Sequence, residues 1–521
     1  ALPDDAAQGL YLPIGMARYQ MHRAPGARCW SHVQLHSASS EASRASVTVW
    51  NGDGALVAEL ADLQLRRVSR DALARLGERW LDDCLYETQW HPAPLPVAES
   101  RLDLALAGLE APAMAALPAL RSAARLDDYD RFIPQLESLC AQYVVATLRR
   151  LGWQPSAGDS TTAAALGARL GVQARHERLF ERLLAILGEE GLLVRDGAGW
   201  RVPQPLPEVD PPAGLARLQA AHPDAAAELE MTGRVAAEMA EALRGETEPM
   251  QLLFPDGSLD NAERMYRDAP TAQVFNGLLV AVMRALLAHQ AQAPGRPLRI
   301  LEIGGGTGGT TAYLAPALAG QPVEYTFTDI GPLFVARAAE RFASHGFMRF
   351  AVLDLERDAA VQGFEANGFD IVIAANVIHA TADLRRTLGR VRGLLAPGGL
   401  LAMIEVTAPQ RWFDLTVGLT EGWWAFEDRD LRTDYATLTR ARWLSLLAEC
   451  GFDQRSALPC GDAHQGTLGL QSVLLARKGA HGCADASRPW VLWADGQGLG
   501  DALAAQLRGQ GQACVLVRAG E

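Results

Sequence analysis

LRILEIGGGTGGTT, residues Leu298 to Thr311, is the stretch on which the fold of this chain turns. It begins as a short apolar run of strand type, breaks into five glycines, and continues into residues that suit the start of a helix. Gly304, Gly306 and Gly308 let the backbone turn tightly and approach a ligand where a Cβ would clash. Gly304, Gly306 and Gly309 also satisfy G-x-G-x-x-G, so a dinucleotide is one reading of the loop. On its own the glycine pattern is a weak signal.

Working outward, LRILEIG, VEYTFTDI, MRFAVLDL, FDIVIAANV and GLLAMIEV are short apolar strands separated by helix-length segments. That alternation predicts a parallel, doubly wound α/β sheet of Rossmann-like type. Three acids fall in order along it. Glu302 precedes the loop by two residues and completes E-x-G-x-G-x-G, the pattern of class I methyltransferases. An acid there reaches toward an ammonium group through water or backbone and would repel a pyrophosphate. Asp329 ends the second strand, where a carboxylate accepts ribose hydroxyls, a feature that would also suit NAD. Asp354 ends the third, placed to meet an adenine amine. Any one of these alone reads better as a solvated loop carboxylate; all three at successive strand ends point to S-adenosylmethionine. After GLLAMIEV come a long insertion, the helix RARWLSLLAECGF and a strand pair around GTLGLQSVLLARKG, which resembles the reversed last strand of the class I methyltransferase sheet.

The rest of the chain sets the bounds. Its 521 residues suggest three or four domains, and 49% hydrophobic with 21% charged residues is a globular composition. No stretch reads as an apolar run able to cross a bilayer, and the first residues lack a signal peptide's regions, so a cytoplasmic location is expected. The seven cysteines are scattered without a C-x-x-C pair, which argues against a zinc knuckle or a disulfide framework. A net charge of −13 opposes a nucleic-acid role, which needs clustered Lys and Arg.

Residues 1–70 read as strands, with Asn51-Gly52-Asp53-Gly54 as a hairpin turn and His32 and His36 as solvated strand residues. A Pro-rich passage ending LYETQWHPAPLPVAES reads as a linker. From Arg101 to Glu246 the pattern is helical. Within it HERLFERLLAILGEEGLLVRDGAGWRV suggests a winged helix, whose Glu177, Glu181, Glu189, Glu190 and Asp196 favour packing or lid duty over DNA binding. The final stretch from Pro489 reads as strand, Gly-rich turn, helix and strand.

Two side chains are candidates for the chemistry. Methylating carbon requires a carbanion equivalent, and the α-carbon of a β-ketothioester is acidic enough for a neutral imidazole when the enolate is stabilised. His379 lies just past the fourth strand, at the carboxyl edge where such sheets hold their ligands. Glu405 ends the fifth strand and can orient an imidazole and raise its basicity. Each alone reads equally as a residue without a role; at neighbouring strand ends they read as a dyad. No metal is called for.

These residues carry a resemblance. LLFPDGSLDNAERMYRDAPTAQVFNGLL, LRILEIGGGTGGTT, ANVIHATADL, LLAMIEVT and GLTEGWWAFEDRDLR together resemble the C-methyltransferase domain of type I modular polyketide synthases, over roughly residues 101–478. The resemblance implies His379 and Glu405 as the catalytic dyad and Tyr266 as a lid tyrosine reaching the active site. It further implies Asn376 as a contact for the amino-acid end of the cofactor, and Glu421, Trp423 and Trp424 as substrate-side residues. Glu302, Gly304, Gly306, Gly308, Asp329 and Asp354 would hold S-adenosylmethionine.

The expected architecture is therefore multidomain. It runs as the C-terminal part of a dehydratase hot-dog fold (1–72), a linker (73–100), a helical lid (101–285), the class I methyltransferase core (286–480) and the start of a ketoreductase structural subdomain (488–521). The expected activity is methyl transfer to the α-carbon of a β-ketoacyl thioester. The substrate would arrive on the phosphopantetheine arm of an acyl carrier protein, among neighbouring polyketide synthase domains, with no nucleic acid and no membrane. Alternatives are an N- or O-methyltransferase domain of a hybrid peptide–polyketide synthetase and an inactive scaffold domain.

Overall fold

The computed structural model describes residues 9–25, 28–38, 42–69, 102, 104–290, 296–479, 490–494, 498–509 and 514–518. The expected linker at 73–100 lies outside them. The chain divides into two compact units, one of residues 1–95 with 254–258 and 332–346, the other of the remainder.

In the first unit β1 (Gly9–Gly15), β2 (Arg18–Met21), β3 (Cys29–Ala38), β4 (Ala42–Asn51) and β5 (Leu56–Ser69) form one antiparallel sheet. Its order is β1-β5-β4-β3, with β2 also on β5. The β4–β5 hairpin turns where Asn51 Oδ1 accepts the backbone N–H of Asp53 at 3.1 Å and of Ala55 at 2.8 Å. That side chain supplies the turn's geometry locally, which is why the Asn-Gly-Asp-Gly signal could be read in advance. His32 and His36 are exposed on the edge strand.

The second unit begins with helices. A winged-helix arrangement stands within them: helices Ala163–Leu170 and Glu177–Glu189, with β6 (Ser160–Thr161), β7 (Val194–Asp196) and β8 (Gly199–Arg201) in the order β6-β8-β7. Thr162 caps the first helix by accepting the Ala165 N–H at 3.2 Å. Gly188 lets the second lie on the wing, since a Cβ there would stand 2.5 Å from the Trp200 ring.

The main sheet has seven strands: β9 (Leu298–Ile303), β10 (Val323–Asp329), β11 (Met348–Val352), β12 (Phe369–Ala375), β13 (Leu395–Val406), β14 (Phe452–Leu458) and β15 (Gln471–Lys478). Their order is β11-β10-β9-β12-β13-β15-β14. β9 to β13 run parallel, while β15 is antiparallel to both β13 and β14. Every residue of β12 from Asp370 to Ala374, and nearly all of β13, is buried, as central parallel strands require. On one face Leu301, Val372, Leu401 and Met403 meet Leu384, Leu388 and Val391 of helix Leu384–Leu394 and Trp443, Leu446 and Leu447 of helix Arg440–Glu449. Each such fully buried side chain contributes about 1.5–3 kcal/mol.

Two expectations change. Helix Pro270–Gln290 is long and apolar enough, with a mean hydropathy of 1.5, to cross a membrane by composition, although no such run was expected. Here Val274, Phe275, Leu278, Leu279, Val282 and Met283 are buried, and the helix packs against β13, β15 and helix Leu106–Ala123. The same helix crosses the expected boundary at 285/286. Its apolar surface is shared between the helical part and the sheet, so no break falls there. At the far end, β16 (Trp490–Ala494) and β17 (Cys514–Arg518) are parallel and joined by helix Leu499–Gly509.

Candidate active site

The glycine loop follows β9 and the turn bearing His379 follows β12, so both stand at the carboxyl edge of the sheet. Gly304, Gly306 and Gly308 all have positive φ, at 62°, 52° and 75°. A Cβ on Gly304 would stand 2.3 Å from Cγ2 of Val377, two residues before His379, so the glycine loop and the His379 turn are in contact. Gly306 is open: its Cβ would meet only the Gly304 carbonyl, at 3.9 Å. Gly305, which the sequence reading passed over, and Gly309 are packing sites. A Cβ on Gly305 would fall 2.1 Å from the Phe327 ring, and one on Gly309 would fall 2.9 Å from the Tyr266 carbonyl oxygen.

The acids divide. Asp329, at the end of β10, accepts the Gly306 N–H at 2.9 Å and the Gly331 N–H at 2.7 Å. Burial lifts its pKa, and those two N–H groups oppose the shift. Asp354 lies two residues beyond β11, rather than at its end, with Oδ1 accepting the Glu356 N–H at 2.8 Å. Glu302 turns inward instead of toward the edge: its Oε2 accepts hydroxyls from Thr311 at 2.6 Å and Tyr325 at 2.8 Å. It is 1% exposed, and burial pushes its pKa up to about 7. Glu302 thus ties β9 to β10 and to the helix after the loop. Asn376 sits at φ 53°, a strained region for a residue with a Cβ, and its buried Oδ1 has no hydrogen-bond partner.

The structure brings His379 and Glu405 together. His379, 8% exposed, occupies the 3-10 turn Ile378–Ala380, and its Nδ1 lies 2.6 Å from Oε2 of the fully buried Glu405. The other oxygen, Oε1, accepts the Ile378 N–H at 3.0 Å. β12 and β13 are neighbours in register, Ala375 opposite Ile404, and this pairing sets the two residues side by side.

Of the residues expected on the substrate side, the structure keeps Trp423 beside the dyad. Its ring stands edge-on to the His379 imidazole with centroids 5.4 Å apart. Trp424 instead is buried core, its Nε1–H donating to the Gly418 carbonyl at 2.7 Å and its ring against Tyr435. Glu421 points outward, its side chain 69% exposed, toward Arg175 at 3.5 Å. A 3-10 turn over Glu421–Trp424 sends successive side chains about 120° apart, so the motif's residues cannot all face one cavity. Tyr266 is 37% exposed at the end of helix Asp260–Asp268, its backbone against the glycine loop at Gly309.

The chain has relatives among known proteins. Residues 301–401 match a family described as a methyltransferase domain, and residues 1–75 one described as the polyketide synthase dehydratase N-terminal domain. The sequence reading had put that segment in a dehydratase's closing half. The crystal structure of the CurJ carbon methyltransferase is similar at a TM-score of 0.67 and 40% identity, covering 71% of this chain and 99% of that one. That of the DszA carbon methyltransferase follows at 0.64 and 32%, covering 70% and 96%. A non-reducing polyketide synthase, atr1 of Stereocaulon alpinum, is 36% identical over 341 residues, 63% of this chain. The chain spans 13% of that synthase's length.

Proposed function

Because this chain belongs to the carbon-methyltransferase domains of polyketide synthases, we propose that it methylates the α-carbon of a β-ketoacyl thioester carried on an acyl carrier protein. The observation that carries this reading is the 2.6 Å contact between His379 Nδ1 and Glu405 Oε2. A carboxylate only accepts, so Nδ1 carries the proton and Nε2 keeps its lone pair as a base. Glu405 holds the ring against rotation and stabilises the imidazolium that forms when the α-proton is taken. Trp423, edge-on to His379, would shield the enolate from water.

S-adenosylmethionine is the proposed methyl donor, and bound here it would supply an electrophilic methyl on sulfur. The residues present fit it. The open face of Gly306 admits a ligand backbone-close, and the unpartnered, buried Oδ1 of Asn376 is an acceptor suited to its ammonium group. Asp329 and Asp354 would take the ribose hydroxyls and the adenine amine, Gly304 and Gly308 shape the loop, and Glu302 supports it from behind. Tyr266, beside Gly309, would close over the mouth.

The same reading gives the domain a phosphopantetheine-borne substrate, neighbouring synthase domains and a cytoplasmic setting. β16, its helix and β17 would begin a ketoreductase structural subdomain, and the first sheet would be part of a dehydratase.

Intact-protein mass spectrometry of a β-ketoacyl carrier protein tests the reaction. Wild type is expected to add one methyl, and His379→Ala to lose most turnover. Methylation of an amine or hydroxyl acceptor instead would favour a heteroatom methyltransferase, and calorimetry without S-adenosylmethionine affinity would favour an inert scaffold.

A further inference from the structure

The turn carrying His379 is too short to satisfy its own backbone. The 3-10 segment Ile378–Ala380 stops after three residues, leaving carbonyls that a longer helix would have used. On the N–H side Glu405 supplies the acceptor for Ile378. On the carbonyl side one guanidinium reaches three acceptors, one of which, the Ala382 carbonyl, also takes the Glu427 N–H at 2.8 Å. Arg432 Nη1 donates to the His379 carbonyl at 2.7 Å, and Nη2 donates to Thr381 at 2.7 Å and to Ala382 at 3.0 Å. Its Nε donates to Asp428 Oδ1 at 2.6 Å, and Asp428 Oδ2 accepts the Leu384 N–H at 2.9 Å, where the next helix begins. The Arg432 side chain is 0% exposed and that of Asp428 2%. Phe426 lies against the guanidinium, 4.9 Å from ring centroid to Cζ.

We propose that Arg432 is a positioning residue for His379, fixing the backbone from which the imidazole projects. A buried ion pair is poor value as a source of stability, because desolvation offsets most of the attraction and apolar residues of equal volume often do better. What a buried guanidinium provides is a planar fork of donors with set directions. Here that fork reads the carbonyls of residues 379, 381 and 382 together, while Glu405 holds the ring. Base and backbone are thereby pinned by two opposite charges on two elements, β13 and the insertion after it. Lysine, with one tetrahedral ammonium, cannot span the same set of acceptors.

The inference rests on His379 being the base, and the test separates the two claims. The full chain is assayed as wild type, Arg432→Lys, Asp428→Asn, His379→Ala and the double variant His379→Ala/Arg432→Lys. Readouts are kcat and KM for a β-ketoacyl carrier protein, deuterium exchange at the α-carbon, and S-adenosylmethionine affinity by calorimetry. Arg432→Lys is expected to lower kcat and α-exchange about 10- to 100-fold, since a small displacement of a base costs that much. KM and S-adenosylmethionine affinity should stay within about threefold, because transition-state positioning alone is lost. In the His379→Ala background the Lys substitution should lower the residual rate no further. Arg432→Ala should regain part of its rate with added methylguanidinium; if that variant does not fold, Arg432→Lys decides. Wild-type kcat for Arg432→Lys overturns the proposal, as does a loss matched by an equal loss of S-adenosylmethionine binding, which marks a merely structural role. If His379→Ala turns over like wild type, the base assignment itself falls; if it is inactive while Arg432→Lys is not, only the positioning claim falls.

Discussion

His379 Nδ1 stands 2.6 Å from Glu405 Oε2, while the opposite oxygen of that carboxylate binds the Ile378 N–H at 3.0 Å. One side chain thus sets both the tautomer of the imidazole and the path of the backbone that bears it. Glu405→Gln keeps the volume but has only one acceptor oxygen for the two N–H groups. Turnover is expected to fall about 100-fold or more, with S-adenosylmethionine affinity nearly unchanged by calorimetry. Equal turnover of the two proteins would remove Glu405 from the mechanism.

Gly304→Ala should damage cofactor binding rather than the fold. The new methyl would meet Val377 Cγ2 at 2.3 Å on a backbone with φ 62°. Affinity for S-adenosylmethionine is expected to drop about tenfold or more, since left-handed backbone costs a non-glycine residue about 1–2 kcal/mol before the clash is counted. Adding Val377→Ala relieves the contact but not the φ, so calorimetry should show partial recovery.

Glu302 makes stability depend on pH. Burial lifts its pKa from 4.5 to about 7, against the hydroxyls of Thr311 and Tyr325. Between those values the folded chain holds a proton that the unfolded chain has released, so raising the pH through this window lowers stability. The full effect is on the order of 3 kcal/mol and is complete above about 7. Glu302→Gln removes the titration and leaves an acceptor for both hydroxyls. Urea unfolding is expected to show wild type losing ground to this variant as pH rises from about 5 to about 8. Parallel pH profiles would contradict it.

Asp414 should be a stability residue. It is fully buried in the insertion after β13, where Oδ2 accepts from Arg182 Nε at 2.8 Å and Oδ1 from the Tyr435 hydroxyl at 2.7 Å. Arg182 lies on helix Glu177–Glu189, so this contact fastens the helical part to the segment that carries Trp423. Asp414→Asn leaves a largely buried guanidinium with Glu189 as its one remaining carboxylate and is expected to cost about 1–3 kcal/mol. An unchanged urea midpoint would exclude that role.

Much of the core was legible because its signals are local. The strand–glycine–helix pattern at Leu298–Thr311, the five apolar strands and the reversed final strand all rest on period, chirality and turn chemistry, which neighbours in sequence determine. His379 and Glu405 could be paired in advance because parallel strands in register place their carboxyl ends together. Side-chain direction was not legible. Glu302 completes a loop motif yet faces inward, because Thr311 and Tyr325 offer hydroxyls in an apolar interior. Trp423 and Trp424 are adjacent and alike in chemistry, yet the tight turn gives one to the dyad and the other to the core.

The sequence by itself determined the order of elements, the positive-φ glycines and the two strand ends from which His379 and Glu405 project, since these follow from backbone sterics and hydrophobic period. Only the tertiary structure decided which polar atoms meet. A guanidinium such as that of Arg432 finds the carbonyls of a turn about 50 residues away through packing. No local rule in the chain encodes that distance.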